Sequence, residues 1–529
     1  MKLTSAIVIL MLAVPTTVVC QVSPVSKSFD NHLQKIKKQY RLGEISDQAA
    51  WQKLSQLLDS AEKNKDSLNL SELYQTQSKL LEKARYPILS AKYAAMALAT
   101  SKDPFAKDLT PSWDQLDLVS SKSQIHDILI DLAGKLNKSD KAPPVFKKNW
   151  FYFLGEAQLA AREADKAIAL FSKLDPKDRY YYAARYQLAM TYLHSKEDLT
   201  KSALILRTIA SDEIANIDGV SPRTRSQYVD QANLALARIQ YERQKFISSI
   251  KYFRKVKRTS TFYYDALFGQ SWAFFLAGYP NHALGALHAV ESPYFPGRFN
   301  PESSVLRSLI YYWMCLYDDS KTSLADFVDR YSEPVNNLDS WLTRRSLTAE
   351  KSFDLFENLI SGVSSKSLGI DRNLLESAAI SPDMIFARER LATVLSERDR
   401  LKKRGIFQNK KNTQVPTKIL DEWIKQISLE LGRIYLAELE RVRDEFKNLR
   451  SQSNFIYIEL LMSEKEQVLG KELHSDQKLD QVNFSKKVKG WGQGNMPWKA
   501  SDKGEYWWDE VGFFVYQVAP QCNTEQAGK

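Results

Sequence analysis

The chain has 529 residues, 44% hydrophobic and 26% charged, a balance that excludes wholesale disorder and collagen-like structure and leaves room for about three domains. Its 19 glycines and 18 prolines are few for this length, which favours long helices over a sheet-rich fold. The net charge is +11, and three cysteines (Cys20, Cys315, Cys522) with six scattered histidines leave little material for a zinc cluster or a disulfide framework.

Residues 1–20 combine a basic start at Lys2, an apolar run from Ala6 to Val14, Pro15 as a breaker and small residues before Cys20, the pattern of a secretory signal peptide. Cleavage after Cys20 starts the mature chain at Gln21 and removes one charge, Lys2, so +11 becomes +10. The competing reading makes Cys20 the acylated first residue of a membrane-anchored lipoprotein, a pattern that Thr17, Val18 and Val19 fit poorly. No later run approaches the ~20 apolar residues of a transmembrane helix. The expectation is an exported, periplasmic chain whose basic surface meets envelope proteins, anionic lipid or wall polymer, and not nucleic acid.

Residues 21–145 read as a helical, repeat-like region: Phe29, Leu33, Ile36 and Tyr40 form one apolar face, Ala50, Leu54 and Leu57 the next, with Gly43 between them. Pro87 opens an Ala-rich helix, and Pro104 and Pro111 end that unit. Residues 146–335 carry an internal period of ~34 residues, that of tetratricopeptide repeats. Small residues recur twelve apart on the two helices of a unit, as at Gly155 and Ala167, Ala237 and Ser249, and Ser271 and Ala283. Large ones (Phe171, Phe253, Leu287) come four later, and a fifth, degenerate unit is placed at Ser323 and Phe327. Small residues let paired helices approach closely while large ones fill the seam between units.

In residues 336–475 an amphipathic helix (384–404) precedes a run from Pro416 to Leu469 broken only by Gly432. Leu420, Ile424, Ile427, Leu431 and Ile434 form a coiled-coil seam, and at Glu438 the stripe steps sideways to Tyr435 and Leu439, a stutter. An antiparallel hairpin with 384–404 is the economical reading, and a homodimeric coiled coil the alternative. Residues 476–529, with Trp491, Trp498, Trp507, Trp508 and the run Val511 to Val518, suggest a small Trp-rich β cap. The predicted fold is thus all-α: a tetratricopeptide-like α-solenoid, then a long helical hairpin, then the cap.

No P-loop, His-Glu-x-x-His, Cys-x-x-Cys or Gly-x-Ser-x-Gly motif is present, so no catalytic residue, metal or cofactor is assigned. Gly490, Gly492 and Gly494 lack the context of a dinucleotide loop, and Ser248 and Lys251 lack the companions of a Ser-x-x-Lys site. His282 and His288 are spaced for different helix faces. Glu505, Asp509 and Glu510 stand among aromatics, as in a glycan-cleaving site, or simply pair with surface bases. Cys315 and Cys522 are free to pair in an oxidising compartment or to remain apart.

In such a superhelix certain positions of each first helix line the concave groove. Here they are Tyr152, Tyr186, Met190, Arg238, Tyr241, Phe268, Trp272, Phe275 and Tyr312. Aromatic and arginine clusters are the usual energetic centres of interfaces, so the groove is expected to take a helical or extended segment of an envelope protein. The alternative is a groove filled by the chain's own helices.

From about Pro87 to Cys522 the chain resembles the exported tetratricopeptide-repeat proteins associated with adventurous gliding motility in myxobacteria and other deltaproteobacteria. The resemblance is carried by Tyr264-Asp265-Ala266-Leu267-Phe268 with Trp272, by Ser292-Pro293-Tyr294-Phe295, by Phe299-Asn300-Pro301-Glu302, and by the tail Gly504 to Gly512. It implies a non-enzymatic periplasmic scaffold in an envelope assembly, with a peptidoglycan- or glycan-binding envelope protein as the alternative from a different class. Trp508 stands where the family tail is expected to carry a basic residue.

Overall fold

The computed structural model describes residues 24–63, 70–120, 126–136, 143–211, 220–345, 347–363, 370–407, 409, 413–468, 496–498, 506 and 508–522. The predicted export segment with Cys20, the Gly490 to Gly494 turn, Trp491, Trp507 and Glu505 lie outside them. The described chain is all-α apart from two three-residue strands. Among the described residues no helix is long and apolar enough to cross a membrane.

Packing divides the chain into two compact units. The first draws on Met1–Ile205, Glu213–Ser221 and Phe386–Ser428, the second on Leu206–Asp212, Pro222–Ile385 and Leu429–Lys529. The helices are α1 (Pro24–Arg41), α2 (Asp47–Lys63), α3 (Leu70–Lys83), α4 (Pro87–Thr100), α5 (Thr110–Ser120), α6 (His126–Lys135), α7 (Trp150–Ala160), α8 (Ala164–Phe171), α9 (Tyr181–Ser195) and α10 (Leu199–Ala210). They continue as α11 (Pro222–Glu242), α12 (Phe246–Phe253), α13 (Tyr263–Leu276), α14 (Pro280–Val290), α15 (Pro301–Trp313), α16 (Tyr317–Arg345), α17 (Ala349–Ile360), α18 (Arg372–Ala379), α19 (Pro382–Arg404) and α20 (Gln414–Val468).

In the first unit the approach of α3 to α4 is closed by hydroxyls: Ser78 donates to the Ser90 carbonyl at 2.8 Å and Ser90 returns the bond at 2.7 Å. Ala91, Ala94 and Ala97 are fully buried, and their small side chains let the neighbouring helices approach closely. Trp423 of α20 donates its indole N–H to Asp127 at 2.8 Å, and the Lys92 ammonium lies 5.3 Å over its ring. Gly155 of α7 sits under the Phe171 ring of α8, where a Cβ would fall 2.4 Å from a ring carbon. Both residues belong to the recurring pattern read from the sequence.

The second unit repeats the device. Ser249 donates to the Ala237 carbonyl at 2.8 Å between α12 and α11. Between α15 and α16 the hydroxyls of Ser308 and Ser320 lie 2.8 Å apart, and Ser320 bonds the Ser308 carbonyl. The sequence places the fifth small–large pair at Ser323 and Phe327; the helix contact instead uses Ser308 and Ser320, three residues earlier. Phe327 is fully buried because it stacks on Phe446 of α20 at 5.2 Å.

The predicted hairpin of α19 with α20 is local. Arg398 and Lys402 of α19 approach Asp421 at 3.6 and 3.5 Å. From Leu429 onward α20 takes other partners. Gly432 meets the Ala349 carbonyl of α17, Tyr435 packs on Phe356 and donates its hydroxyl to the Leu375 carbonyl of α18 at 3.1 Å, and Lys447 pairs with Asp339 of α16 at 2.9 Å. Each seam residue from Leu431 to Leu449 that packs inward is therefore occupied within the chain, which removes the seam as a homodimeric coiled coil.

The tail differs from a self-contained cap. Strand β1 (Met496–Trp498) runs parallel to β2 (Phe514–Tyr516), and β2 lies along α14. Val511 and Phe514 complete a core with Tyr263, Leu267, Ala289 and Val290. Tyr263 donates to the Val511 carbonyl at 3.0 Å, Asn281 to the Val518 carbonyl at 3.0 Å, and the Gln521 amide to the Met314 carbonyl at 2.9 Å. Cys315 and Cys522 form a disulfide with Cα atoms 5.1 Å apart, closing a loop of 207 residues in sequence separation. In the chain-entropy model such a loop is worth about 5 kcal/mol.

A Cβ at Gly285 would fall 1.9 Å from the Phe514 carbonyl oxygen, a backbone atom that cannot swing aside. Gly285→Ala is expected to cost about 1–3 kcal/mol and to raise protease cleavage within residues 508–522 while α3 and α4 keep their protection. Denaturant melts with mass-mapped limited proteolysis measure both.

Candidate functional site

Two features carry chemistry, an aromatic face in the second unit and a cleft in the first. In the second unit the aromatic face runs along α11, α13 and α15. Tyr241, Phe268, Trp272, Phe275 and Tyr312 are half-buried on it and Arg238 is exposed. Trp272 donates its indole N–H to the Glu302 carboxylate at 2.8 Å and meets Phe275 edge-on at 6.4 Å. Tyr241 packs edge-on against Phe246 at 5.6 Å. Tyr241, Phe268, Trp272 and Phe275 are partly buried and pack against the core that includes Leu234, Ala237, Ala273 and Phe274.

Sequence reasoning missed the acidic half of this face. Glu302 opens α15 directly after Pro301, where a helix N-terminus favours a carboxylate. Burial raises its pKa, the nearby Glu445 of α20 raises it further, and the Trp272 bond opposes both. Glu445 is likewise raised, by burial first, while Arg441 at 2.7 Å draws it down and Glu438 pushes it up. Arg441 also holds Glu438 at 2.9 Å. The signal for Glu438 was legible as the polar residue in the apolar seam; nothing in the sequence places Glu302 opposite α20. At Tyr312 the face is covered by the chain itself: the ring lies against Tyr317, Leu324 and Leu460, and its hydroxyl is 3.4 Å from that of Ser463.

Tyr152, Tyr186 and Met190 belong to the first unit and are half-buried. Tyr152 is stacked on Tyr180 at 5.1 Å with nearly parallel rings, and His126 and Phe153 meet it edge-on. Its ring is therefore part of an aromatic cluster and not a bare groove wall. Glu156, one turn on, has its carboxyl pushed up to about 7 by burial against the pull of Tyr152 and Gln187.

The first unit's concave feature is a cleft of about 630 Å³ between the ends of α3 and α4, α5 and α19. Ile88, Leu118 and Val119 form its apolar wall, with Glu82, Gln115 and Arg400 around it. At its base Glu397, 2% exposed, accepts the amides of Ile88 at 3.2 Å and Leu89 at 2.7 Å and pairs with Arg400 at 3.1 Å. A carboxylate of α19 thus caps the N-terminus that Pro87 opens. Burial holds it up at about 7 in spite of those three partners. Its trace in the sequence is a carboxylate inside the apolar stripe of α19, between Val394 and Leu401.

Around the tail, His288 stacks on Tyr506 at 4.7 Å and meets Phe514 edge-on at 5.0 Å. Burial first, and Arg307 second, hold its pKa down at about 4; burial and Arg254 do the same for His282. Asp509 is exposed, and Trp508, itself partly exposed, packs on Tyr294 at 5.1 Å and on Tyr263 at 6.3 Å. No protein-family model and no curated protein matches this chain.

These groups titrate with opposite signs. The folded state binds fewer protons than the unfolded at His282 and His288 between about pH 6.5 and 4, so their contribution falls as pH drops through that window. It binds more at Glu397 between about pH 4.5 and 7, so that contribution rises as pH falls. After correction for intrinsic rates, hydrogen exchange is expected to show α14 losing protection from pH 6.5 to 4 while the Ile88 and Leu89 amides gain it from pH 7 to 4.5. A parallel loss at both places would contradict these assignments.

Proposed function

We propose that this protein is a non-enzymatic periplasmic scaffold of a cell-envelope assembly, built as a tetratricopeptide-like α-solenoid that takes a segment of a partner protein on the aromatic face of its second unit. The observation that carries the reading is the half-buried set Tyr241, Trp272 and Phe275, with Trp272 anchored on Glu302. Rings held rigidly by a core, with one side open, lose little entropy on binding and dominate interface energetics. The recurrence of small residues twelve apart, hydrogen-bonded at Ala237 and Ser249 and at Ser308 and Ser320, supports the solenoid. The Cys315–Cys522 disulfide supports an oxidising compartment and so the predicted export. The resemblance to gliding-associated envelope proteins supports the setting, with motility as one process such a scaffold serves.

The carboxylates Glu302 and Glu445 beside Trp272 favour a partner segment that brings a lysine or arginine, since a cation gains from both the ring face and the acids. A second reading, binding of peptidoglycan or another glycan, is favoured by one observation: Tyr294 and Trp508 are both exposed and in contact, a platform on which a sugar ring can stack.

The deciding experiment is mass spectrometry of what co-purifies from the native envelope with the tagged protein, wild type beside the Trp272→Ala, Tyr241→Ala double variant, with circular dichroism to verify folding. A discrete protein set, at least about tenfold depleted in the variant, is the expected result. No enriched protein in either sample, together with sedimentation on purified peptidoglycan that Trp508→Ala abolishes, would replace this reading by the second.

A further inference from the structure

The last turns of α20 present an apolar face that no described residue covers. Phe455 is 70% exposed, and Tyr457, Ile458, Leu461 and Met462 are each between 45% and 55% exposed. The opposite side of the same turns is seated, with Ser453, Leu460 and Ser463 buried and Glu464 paired with Lys321 of α16. These turns are thus held in place by one side and offer the other to solvent. Scattered exposed apolar residues are ordinary; five within two turns of a docked helix are not.

We infer that this face is the contact between two copies of the chain, packed antiparallel across a two-fold axis near Ile458. Three observations select a second copy as the occupant. First, the chain carries a net charge of +11, so two copies repel over most of their surface, yet from Ser451 to Ile458 no residue is charged, the longest such stretch of α20. The face is the place on this helix where like-charged chains can touch. Second, Phe455, Ile458 and Met462 have the three-and-four spacing of a helix–helix seam, and it is self-complementary: an antiparallel two-fold passing between Ile458 and Glu459 sets Phe455 against the partner's Met462 and repeats the pair on the other side. An aromatic ring beside a thioether is a favourable contact. Third, five large side chains about half exposed amount to ~400–500 Å² per copy, or ~1,000 Å² in all, the lower size limit of a specific interface. That size fits a reversible dimer with micromolar dissociation.

The seam upstream in α20 is filled by α16, α17 and α18, and in the last turns one side of the helix still meets α15 and α16, so the dimer contact uses the side that these partners leave open. It does not involve the aromatic face of α13, and the two surfaces act independently.

The test is sedimentation equilibrium of the full-length protein over a concentration series, with Ile458→Glu as the disrupting variant and Ile458→Cys as a cross-linking probe, Asn448→Cys serving as the exposed control. A reversible monomer–dimer equilibrium in the wild type is expected, weakened about tenfold or more in Ile458→Glu at unchanged circular dichroism and melting temperature. Ile458→Cys is expected to form a covalent dimer on mild oxidation, and Asn448→Cys is not. A wild type that stays monomeric throughout the series overturns the inference. Slow alkylation of Ile458→Cys in that monomer would then assign the face to another part of the same chain, and rapid alkylation to no internal cover at all. A dimer that survives Ile458→Glu overturns it as well, by placing the interface elsewhere.

Discussion

Helix backbones in this protein come together where a residue without bulk stands opposite another, as when Ser249 gives its hydroxyl to the Ala237 carbonyl or Ser78 and Ser90 exchange bonds between α3 and α4. A hydroxyl that bonds to a carbonyl of the facing helix is satisfied and takes up almost no room, so the axes close without stranding a polar group. Large residues then have one place to go, the space left beside that contact: Phe171 over Gly155 and Phe253 over Gly269. The half-buried aromatics of α13 inherit their position from this arrangement, because the turn that buries Ala273 and Phe274 leaves Trp272 and Phe275 on the open side.

The tail and the long helix act on this stack in different ways. The tail is a strap: it crosses α14 where Gly285 admits its backbone, is bonded through Tyr263, Asn281 and Met314, and is tied by the disulfide to the end of α15. Helix α20 is a brace, whose side-stepping stripe tracks a change of partners. At the stutter the seam turns from its early neighbours to Tyr435 against α17 and α18, and Glu438 faces Arg441 and the acidic end of the aromatic face. A stutter unwinds a coiled coil locally; here it rotates the buried stripe toward new helices.

The electrostatics of these two features run against the overall sign of the molecule. A chain of net charge +11 gathers carboxylates at both: Glu302, Glu445 and Glu438 near the aromatic face, and Glu397 with Glu82 at the cleft of the first unit. Burial raises the affinity of several of these carboxylates for protons, and that same cost makes an incoming cation, or an amide at a helix N-terminus, a favourable neighbour. At Glu397 the neighbour is already in place as the first amides of α4; at Glu302, among the described residues, it is the Trp272 indole N–H.

The sequence alone determined the local features. Pro87 placed the start of α4, apolar periodicity marked the inner faces of the early helices, and the twelve-residue recurrence of small side chains identified which helices pair, because these properties depend on neighbours within one turn or one hairpin. It also located Tyr241, Trp272 and Phe275 as an aromatic set. What lies opposite a given face is decided elsewhere in the chain. A buried stripe states how much apolar surface must be covered, not which element covers it, and so Ser320 in place of Ser323, the exchange of partners along α20, the docking of the tail on α14 and the electrostatic coupling of Glu302 to Glu445 emerged only from the tertiary structure. Each of those contacts joins elements whose approach is fixed by the packing of all the helices between them, and no spacing within either element records it.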